Sequence, residues 1–180
     1  MNRIIRGANW YFNDVNMRLN AAMATLPELT RAMTPYVLGG GKFGIELPDE
    51  INPLVSTMDV NGVPEGVRGR FGREPGDWTT VTYYEALLNV FPDQTANADQ
   101  NASVVSLTGR VVIMKGLLNG ITYPAVSGKA EGPTRLTWST IVLYHDIMDG
   151  QTTHKLDVRN NTLIIEGVNY TAEHNRLVAA

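Results

Sequence analysis

The chain has 180 residues, of which 43% are hydrophobic, enough for one domain with a buried core. A net charge of −3, from 15 Lys and Arg against 18 Asp and Glu, argues against a dedicated nucleic-acid-binding protein. Because cysteine is absent, disulfide frameworks, thiolate metal sites and thiol nucleophiles are excluded. No apolar run approaches the roughly 20 residues of a membrane helix, and we expect no membrane insertion.

The first half of the chain is dominated by a period of two, which is typical of strands. Alternating apolar residues predict a first strand over residues 15–21. Pro27 and Pro35 then bracket residues 26–38, which we expect to be irregular, and three glycines follow. A second alternation over residues 42–47 predicts a strand that Pro48 ends.

Further strands are predicted along the rest of the chain. Residues 54–60 and 78–84 are strand candidates, whereas the Gly-rich stretch 63–76 leaves room for a short helical turn only. For residues 85–91 the pattern leaves helix and strand open. The last elements are predicted as long strands at 103–115 and 134–146, shorter strands at 154–158 and 162–168, and a helix at 171–180. This pattern predicts one mainly β domain over residues 1–180, a β-sandwich or barrel-like fold with extended loops and a short C-terminal helix.

No constellation of residues indicates catalysis or a cofactor. The glycine pattern from Gly39 to Gly44 matches a dinucleotide fingerprint in letters, but a strand and not a helix is predicted after it. His145, His154 and His174 lack metal-ligand spacing, and adjacent residues such as His145 and Asp146 point to opposite faces of a strand. We therefore expect no enzyme activity, no cofactor and no metal.

Two stretches resemble a known family. The letters LPELTRAMTPY at residues 26–36 precede the three glycines at 39–41. A second set runs from STIVLY at 139–144 through DG at 149–150 and KLDVRN at 155–160 to LIIEGVN at 163–169, followed by the predicted helix. In this order the motifs resemble the major tail tube protein of contractile-tailed bacteriophages.

The resemblance implies a structural virion protein whose hexameric rings stack into the hollow inner tube of a contractile tail. The implied partners are further copies of the chain, the tail sheath protein, the tape measure protein, and baseplate or terminator proteins. Double-stranded phage DNA passes through in transit during ejection, and assembly takes place in the host cytoplasm. The mild acidity fits this role, because a channel that does not attract phosphates lets DNA slide. A carbohydrate-binding β-sandwich module of a phage or bacterial surface protein is the alternative, with Trp and Tyr side chains exposed along one groove.

One segment is predicted to contact a neighbouring subunit. Two prolines and three glycines make residues 26–41 a poor core strand, yet the segment carries apolar side chains that should not stay in contact with water. A loop folded back over its own core is the alternative explanation. The predicted contact residues are Leu26, Leu29, Met33, Tyr36 and Leu38.

The two long strands are predicted to line the channel with their polar faces. Apolar and polar residues alternate in both, which suits a wall one sheet thick between the subunit core and a hydrated channel. Because a ring of arginines would hold DNA, we expect carboxylates of a neighbouring subunit to neutralise the two that occur here. The predicted channel residues are Ser106, Thr108, Arg110, Arg135, Thr137 and Ser139.

Overall fold

The structure is a computed structural model that describes residues 3–37, 39, 42–89, 107–125 and 132–178. The described residues form twelve strands and two short helices: β1 Arg3–Phe12, β2 Val15–Asn16, β3 Ala21–Thr25, β4 Arg31–Val37, β5 Gly44–Ile51, β6 Ser56–Val60, α1 Glu65–Arg68, β7 Thr79–Asn89, β8 Leu107–Thr122, β9 Thr134–Met148, β10 Gln151–Asp157, β11 Thr162–Ile165, β12 Val168–Asn169 and α2 Ala172–Val178. The predicted mainly β fold with a short C-terminal helix is confirmed. The described strands pair antiparallel and do not close into a barrel.

Ten strands form one sheet built around the β8–β9 pair. The main order is β12-β11-β10-β9-β8-β7-β1-β2. The free side of β9 is shared, because its first half pairs with β6 and its second half with β10. Strand β3 extends this arrangement by pairing with β6, whereas β4 and β5 form a separate two-stranded sheet.

A bulge bends the central pair where β9 changes its neighbour. The register of β8 and β9 shifts between Lys115 and Leu117, and Thr140 has a positive φ of 52°. Gly116 favours this close approach, since an added Cβ would lie only 3.1 Å from both the Ser139 carbonyl oxygen and the Ile141 Cγ1. Bulges increase local bending and twist, so β9 can pair with β6 before the bulge and with β10 after it.

The core lies on one face of this bent sheet. In β7, alternate side chains from Thr79 to Leu87 are buried, as the period of two requires. Aromatic rings join the strands, with centroids 4.7 Å apart for Trp10 and Tyr83 and 5.0 Å apart for Phe12 and Trp138. The largest side chains that are almost completely buried include Phe12, Met17, Met58, Leu118 and Leu136.

The prediction of an irregular segment over residues 26–38 was wrong for most of its length. Strand β4 pairs with β5 from Arg31 to Val37, with Pro35 opposite Glu46 and Pro48 opposite Met33. Neither proline ends its strand. In a two-stranded sheet each strand has a free edge, and a proline that lacks an N–H is tolerated there.

Two other predictions need correction. Residues 15–21 do not form one strand, because the Met17 carbonyl accepts hydrogen bonds from the Asn20 and Ala21 N–H groups and turns the chain. Leu19, one of the apolar residues of the predicted alternation, is 93% exposed. Residues 162–168 form β11 and the start of β12 rather than one strand, since Glu166 and Gly167 make a hairpin turn with φ values of 50° and 81°.

Other elements follow the sequence more closely. The open question over residues 85–91 is answered in favour of a strand for residues 85–89, because β7 continues through Asn89, and residues 90 and 91 lie outside the described residues. The short helical turn expected in 63–76 is α1, and the C-terminal helix is α2. The long strand β1, for which the sequence analysis made no prediction, pairs with β7 along its length.

Candidate assembly surfaces

The β4–β5 pair, residues 31–51, is called the hairpin arm below. Paired residues share a face, so the register assigns its side chains to two faces. One face carries Tyr36, Ile45 and Leu47, which are 45–49% exposed. The other carries Met33 and Val37, which are 48% and 62% exposed. The hairpin arm is therefore apolar on both faces, and both are open to water in the single chain.

Side-chain hydrogen bonds stabilise the half of the hairpin arm that is nearer the main sheet residues of the chain, its root, from Thr30 to Thr34 and from Asp49 to Asn52. The Arg31 Nε donates to the Asp49 carbonyl oxygen over 2.6 Å, and the Thr34 hydroxyl donates to Asp49 Oδ2 over 3.1 Å. Asn52 donates from its backbone N–H to the Thr30 carbonyl and from its amide to the Thr30 hydroxyl. A two-stranded hairpin is only marginally stable alone. Contact of its exposed apolar faces with another surface would remove them from water and stabilise the hairpin arm.

The predicted contact residues fall into two groups. Leu26 packs partly buried against the chain's own core, as the fold-back alternative expected for the whole segment. Leu29, Met33 and Tyr36 are 41–49% exposed. Leu38 lies outside the described residues. A contact between subunits stays a prediction, since only one chain is present.

The residues of β9 predicted to line the channel share the open face of the strand. Arg135 is exposed, and Thr137 and Ser139 are partly exposed. On the opposite face Leu136 is fully buried and Trp138 is 2% exposed. The predicted alternation is therefore correct here, while the channel itself stays a prediction.

In β8 the predicted faces are reversed. Thr108 is 4% exposed and accepts a hydrogen bond from the Asn89 amide over 3.2 Å. It lies on the same face as Val112 and Met114, which are both buried. The expectation that Thr108 faces away from the subunit core was wrong, because the polar residues of this face have polar partners inside the chain. Ser106 lies outside the described residues.

Arg110 is the centre of a buried ion network. Its Nε and Nη2 donate to the two carboxylate oxygens of Asp146 over 2.9 and 2.7 Å, and its Nη1 lies 3.4 Å from Glu85 Oε2. Both carboxylates are buried, and the hydrogen bond to Asp146 raises the pKa of Arg110. Burial, with the nearby Asp146 charge, raises the pKa of Tyr144 to about 12. The network carries two carboxylates for one guanidinium.

Arg135 also has an intrachain partner. Its Nε and Nη2 donate to the Asp59 carboxylate over 2.8 and 2.9 Å in a bidentate pair. The hydrogen bond lowers the pKa of Asp59 below its usual value. The expectation that a neighbouring subunit neutralises Arg110 and Arg135 was therefore wrong, since each meets carboxylates of its own chain. The sequence could not indicate this, because Asp59 and Arg135 are 76 positions apart.

The histidines and the glycine pattern singled out in the sequence do not assemble a metal or nucleotide site among the described residues. Within ranges 3–37, 42–89, 107–125 and 132–178, no cluster of three His, Asp or Glu side chains could hold a metal ion. Asp146 is buried, and the neighbouring His145 ring is directed elsewhere, 2.9 Å from the Thr152 hydroxyl. After the glycines the chain enters β5, so no helix N-terminus is present for a pyrophosphate.

A mainly antiparallel β fold with an exposed hairpin that is apolar on both faces is typical of a structural, self-associating protein. A family model described as phage tail tube protein FII matches residues 2–178. The chain therefore belongs to the phage tail tube family. No curated protein matches it.

Membership in this family confirms the resemblance found in the sequence. It makes the chain a structural component of the virion that assembles with itself and with other tail components. None of the helices in the described ranges has the length and apolar character needed to cross a membrane.

Proposed function

We propose that this protein, as one domain per subunit, forms the hollow inner tube of a contractile phage tail from stacked hexameric rings. The observation that carries the proposal is the hairpin arm, whose two faces expose apolar side chains such as Tyr36 and Met33. A single neighbour covers one face of a two-stranded sheet. Covering both requires contacts on two sides, which neighbours within a ring and between rings supply.

A free sheet edge also supports ring closure. Strand β1 pairs with β7 on one side, and on the other β2 pairs only with Tyr11 and Phe12. On this second side, the backbone groups of residues 3–9 have no strand neighbour among the described residues. An unprotected edge invites pairing with another chain, and a closed ring removes such edges.

The tube has a defined set of partners in this proposal. The sheath protein surrounds it, the tape measure protein occupies it during assembly, and baseplate and terminator proteins contact its ends. Phage DNA passes through it only during ejection. The net charge of −3 supports transit without retention, because bound phosphates require clustered cations. Assembly precedes incorporation into the virion and takes place in the host cytoplasm.

For the channel wall we retain the open face of β9. Thr137 and Ser139 present hydroxyls there, and the charge of Arg135 is balanced by Asp59. We remove Thr108 and Arg110 from the wall because they lie on the face of β8 that carries the buried Val112 and Met114. Thr137→Lys should leave tubes intact and slow genome release, whereas the uncharged Thr137→Gln should not. Equal release from both variants would place this face outside the channel.

Two of the aromatic rings that the carbohydrate-binding alternative would need for stacking are buried. Trp10 and Trp138 are 4% and 2% exposed, and both pack against core aromatics. Stacking on a sugar requires an exposed ring face. These two side chains cannot supply one without unfolding the sheet.

Microscopy of the purified protein tests the proposal. Negative staining should show rings or tubes of uniform diameter, and sedimentation should show a species of six chains or multiples of six. A protein that remains monomeric under every condition in which phage tails assemble would contradict it. Binding to a glycan array by such a monomer would favour the alternative.

A further inference from the structure

We infer that the tip of the hairpin arm of one copy docks into a cleft at the root of the hairpin arm of the next copy. The tip is Lys42 and Phe43. This inference rests on the proposed tube and names two surfaces that meet in it. Phe43 is 86% exposed, more than any other phenylalanine among the described residues, and Lys42 precedes it in the chain.

The receiving surface, called the arm-root cleft, is a cavity of about 570 Å³. It lies between the end of β5 with the following segment to Leu54 and the strands β9, β10 and β11. Its apolar lining includes Ile51, Leu156 and Leu163. An aromatic side chain brought here from another copy would leave water and contact apolar walls on several sides.

The charges of the two surfaces are complementary. Asp49, Glu50 and Asp157 line the cleft together with Arg31, so three carboxylates against one guanidinium leave two negative charges. Asp49 already accepts a hydrogen bond from Thr34, and Asp157 accepts from the backbone N–H groups of residues 159 and 160. The Glu50 side chain is exposed, and its carboxylate makes no hydrogen bond or ion pair within the described ranges. It is therefore the carboxylate left to receive a cation.

Lys42 is the complementary group. It is exposed and makes no ion pair with any described residue. It cannot reach Glu50 of its own chain, because the extended strand from Gly44 to Glu50 alone spans about 20 Å. A Lys42–Glu50 contact must join two copies. Because tip and cleft are different surfaces, the contact is heterologous and each new copy offers a further free tip or cleft, as a polymer requires.

Chemical cross-linking tests the contact directly. Carbodiimide joins an amine to a carboxylate only when the two already touch, and the chain contains four lysines. We expect an amide between Lys42 and Glu50, found by mass spectrometry between ¹⁴N and ¹⁵N copies of an equimolar mixture. Cross-links of Lys42 to carboxylates outside the cleft, or none at Lys42, would overturn the inference.

Charge reversal gives an independent measurement. Lys42→Glu and Glu50→Lys should each raise the protein concentration needed for assembly about tenfold or more, and the double variant should restore it. Lys115→Glu, which alters an exposed lysine outside the cleft lining, is the matched control and should leave assembly unchanged. Failure of the double variant to recover would overturn the pairing of these two residues.

The outcomes distinguish this inference from the proposed function. Tubes of the wild-type protein without the Lys42–Glu50 cross-link overturn the tip-in-cleft contact and leave the tube proposal standing. The cross-link in oligomers that never form tubes supports the contact and contradicts the tube. Absence of both overturns both.

Discussion

The main sheet and the hairpin arm use strands of similar composition in opposite ways. In β7 every second side chain from Thr79 to Leu87 is buried by the rest of the chain. In β5 apolar residues such as Ile45 and Leu47 alternate just as regularly, yet both remain about half exposed. The difference is the number of neighbours. A strand inside a ten-stranded sheet is covered by its own chain, whereas in the proposed tube a neighbouring subunit covers the two-stranded arm.

The comparison separates folding from association. Substitutions in the main sheet should change the free energy of unfolding, and substitutions on the hairpin arm should change assembly while the monomer stays folded. The four experiments below are ordered by the size of the expected effect.

A charge on the hairpin arm should have the largest effect. Met33→Asp should abolish tubes, because an ionised carboxylate would have to be buried without a partner in the contact. The same is expected for Leu29→Asp, and the free energy of unfolding of either monomer should change by only about 0.5 kcal/mol. Microscopy and urea denaturation measure the two quantities. Met33→Leu, of similar volume, should still form tubes. An unfolded Met33→Asp monomer would show instead that this segment packs on its own core.

Truncation of the core tryptophan should destabilise the monomer itself. Trp138→Ala should lower the free energy of unfolding by about 3–5 kcal/mol, because the ring is 2% exposed and packs against Phe12. Circular dichroism during urea titration measures it without relying on tryptophan fluorescence. Trp78→Ala, at a partly buried position outside the core cluster, should cost clearly less. Equal losses would contradict the division between core and periphery.

Removal of the network cation should have an intermediate effect. Arg110→Met leaves Glu85 and Asp146 buried together without a cation and should cost about 2–3 kcal/mol, reduced because the arginine side chain is 25% exposed. The control is Arg135→Met, whose side chain is 55% exposed and whose loss should be smaller. A larger loss at Arg135 than at Arg110 would reverse the order argued here.

The smallest effect concerns pH. Burial first, then the Lys155 charge, lowers the pKa of His145 below its ordinary 6.5, although Asp146 acts in the other direction. The unfolded chain therefore binds a proton more readily than the folded one. The stability from this group is complete above pH 6.5 and is lost as the pH falls through the lower folded pKa. His145→Gln should flatten this part of the stability profile, measured by urea denaturation between pH 5 and 8 at about 25 °C. An unchanged slope would remove His145 as its source.

The sequence could predict features that depend on near neighbours along the chain. The alternation in β9 correctly separated Leu136 and Trp138 from Arg135 and Thr137, because successive side chains in a strand point to opposite faces. The turn at Asp149 and Gly150 and the C-terminal helix depend on local backbone preferences in the same way. The motifs of the tail tube family could also be recognised from the sequence, since each lies within a short segment.

Two errors came from contacts between distant segments. The pattern predicts that the face of β8 with Thr108 and Arg110 contacts water. In the structure, the Asn89 amide donates a hydrogen bond to Thr108, and Arg110 donates to the Asp146 carboxylate. The prolines of residues 26–51 were interpreted as strand breakers. They are tolerated because the described residues give the hairpin arm two strands, whose outer edges have no strand neighbour among them.

The sequence by itself determined that this chain is mainly β, has a short C-terminal helix and belongs with tail tube proteins. Composition, alternation and local motifs carry that information within a few residues. Only the tertiary structure decided which face of each strand is buried, which carboxylates neutralise Arg110 and Arg135, and that the hairpin arm remains uncovered. Alternation distinguishes two faces of a strand. The choice of the buried one depends on pairings across the sheet, where Asp59 meets Arg135 from 76 positions away.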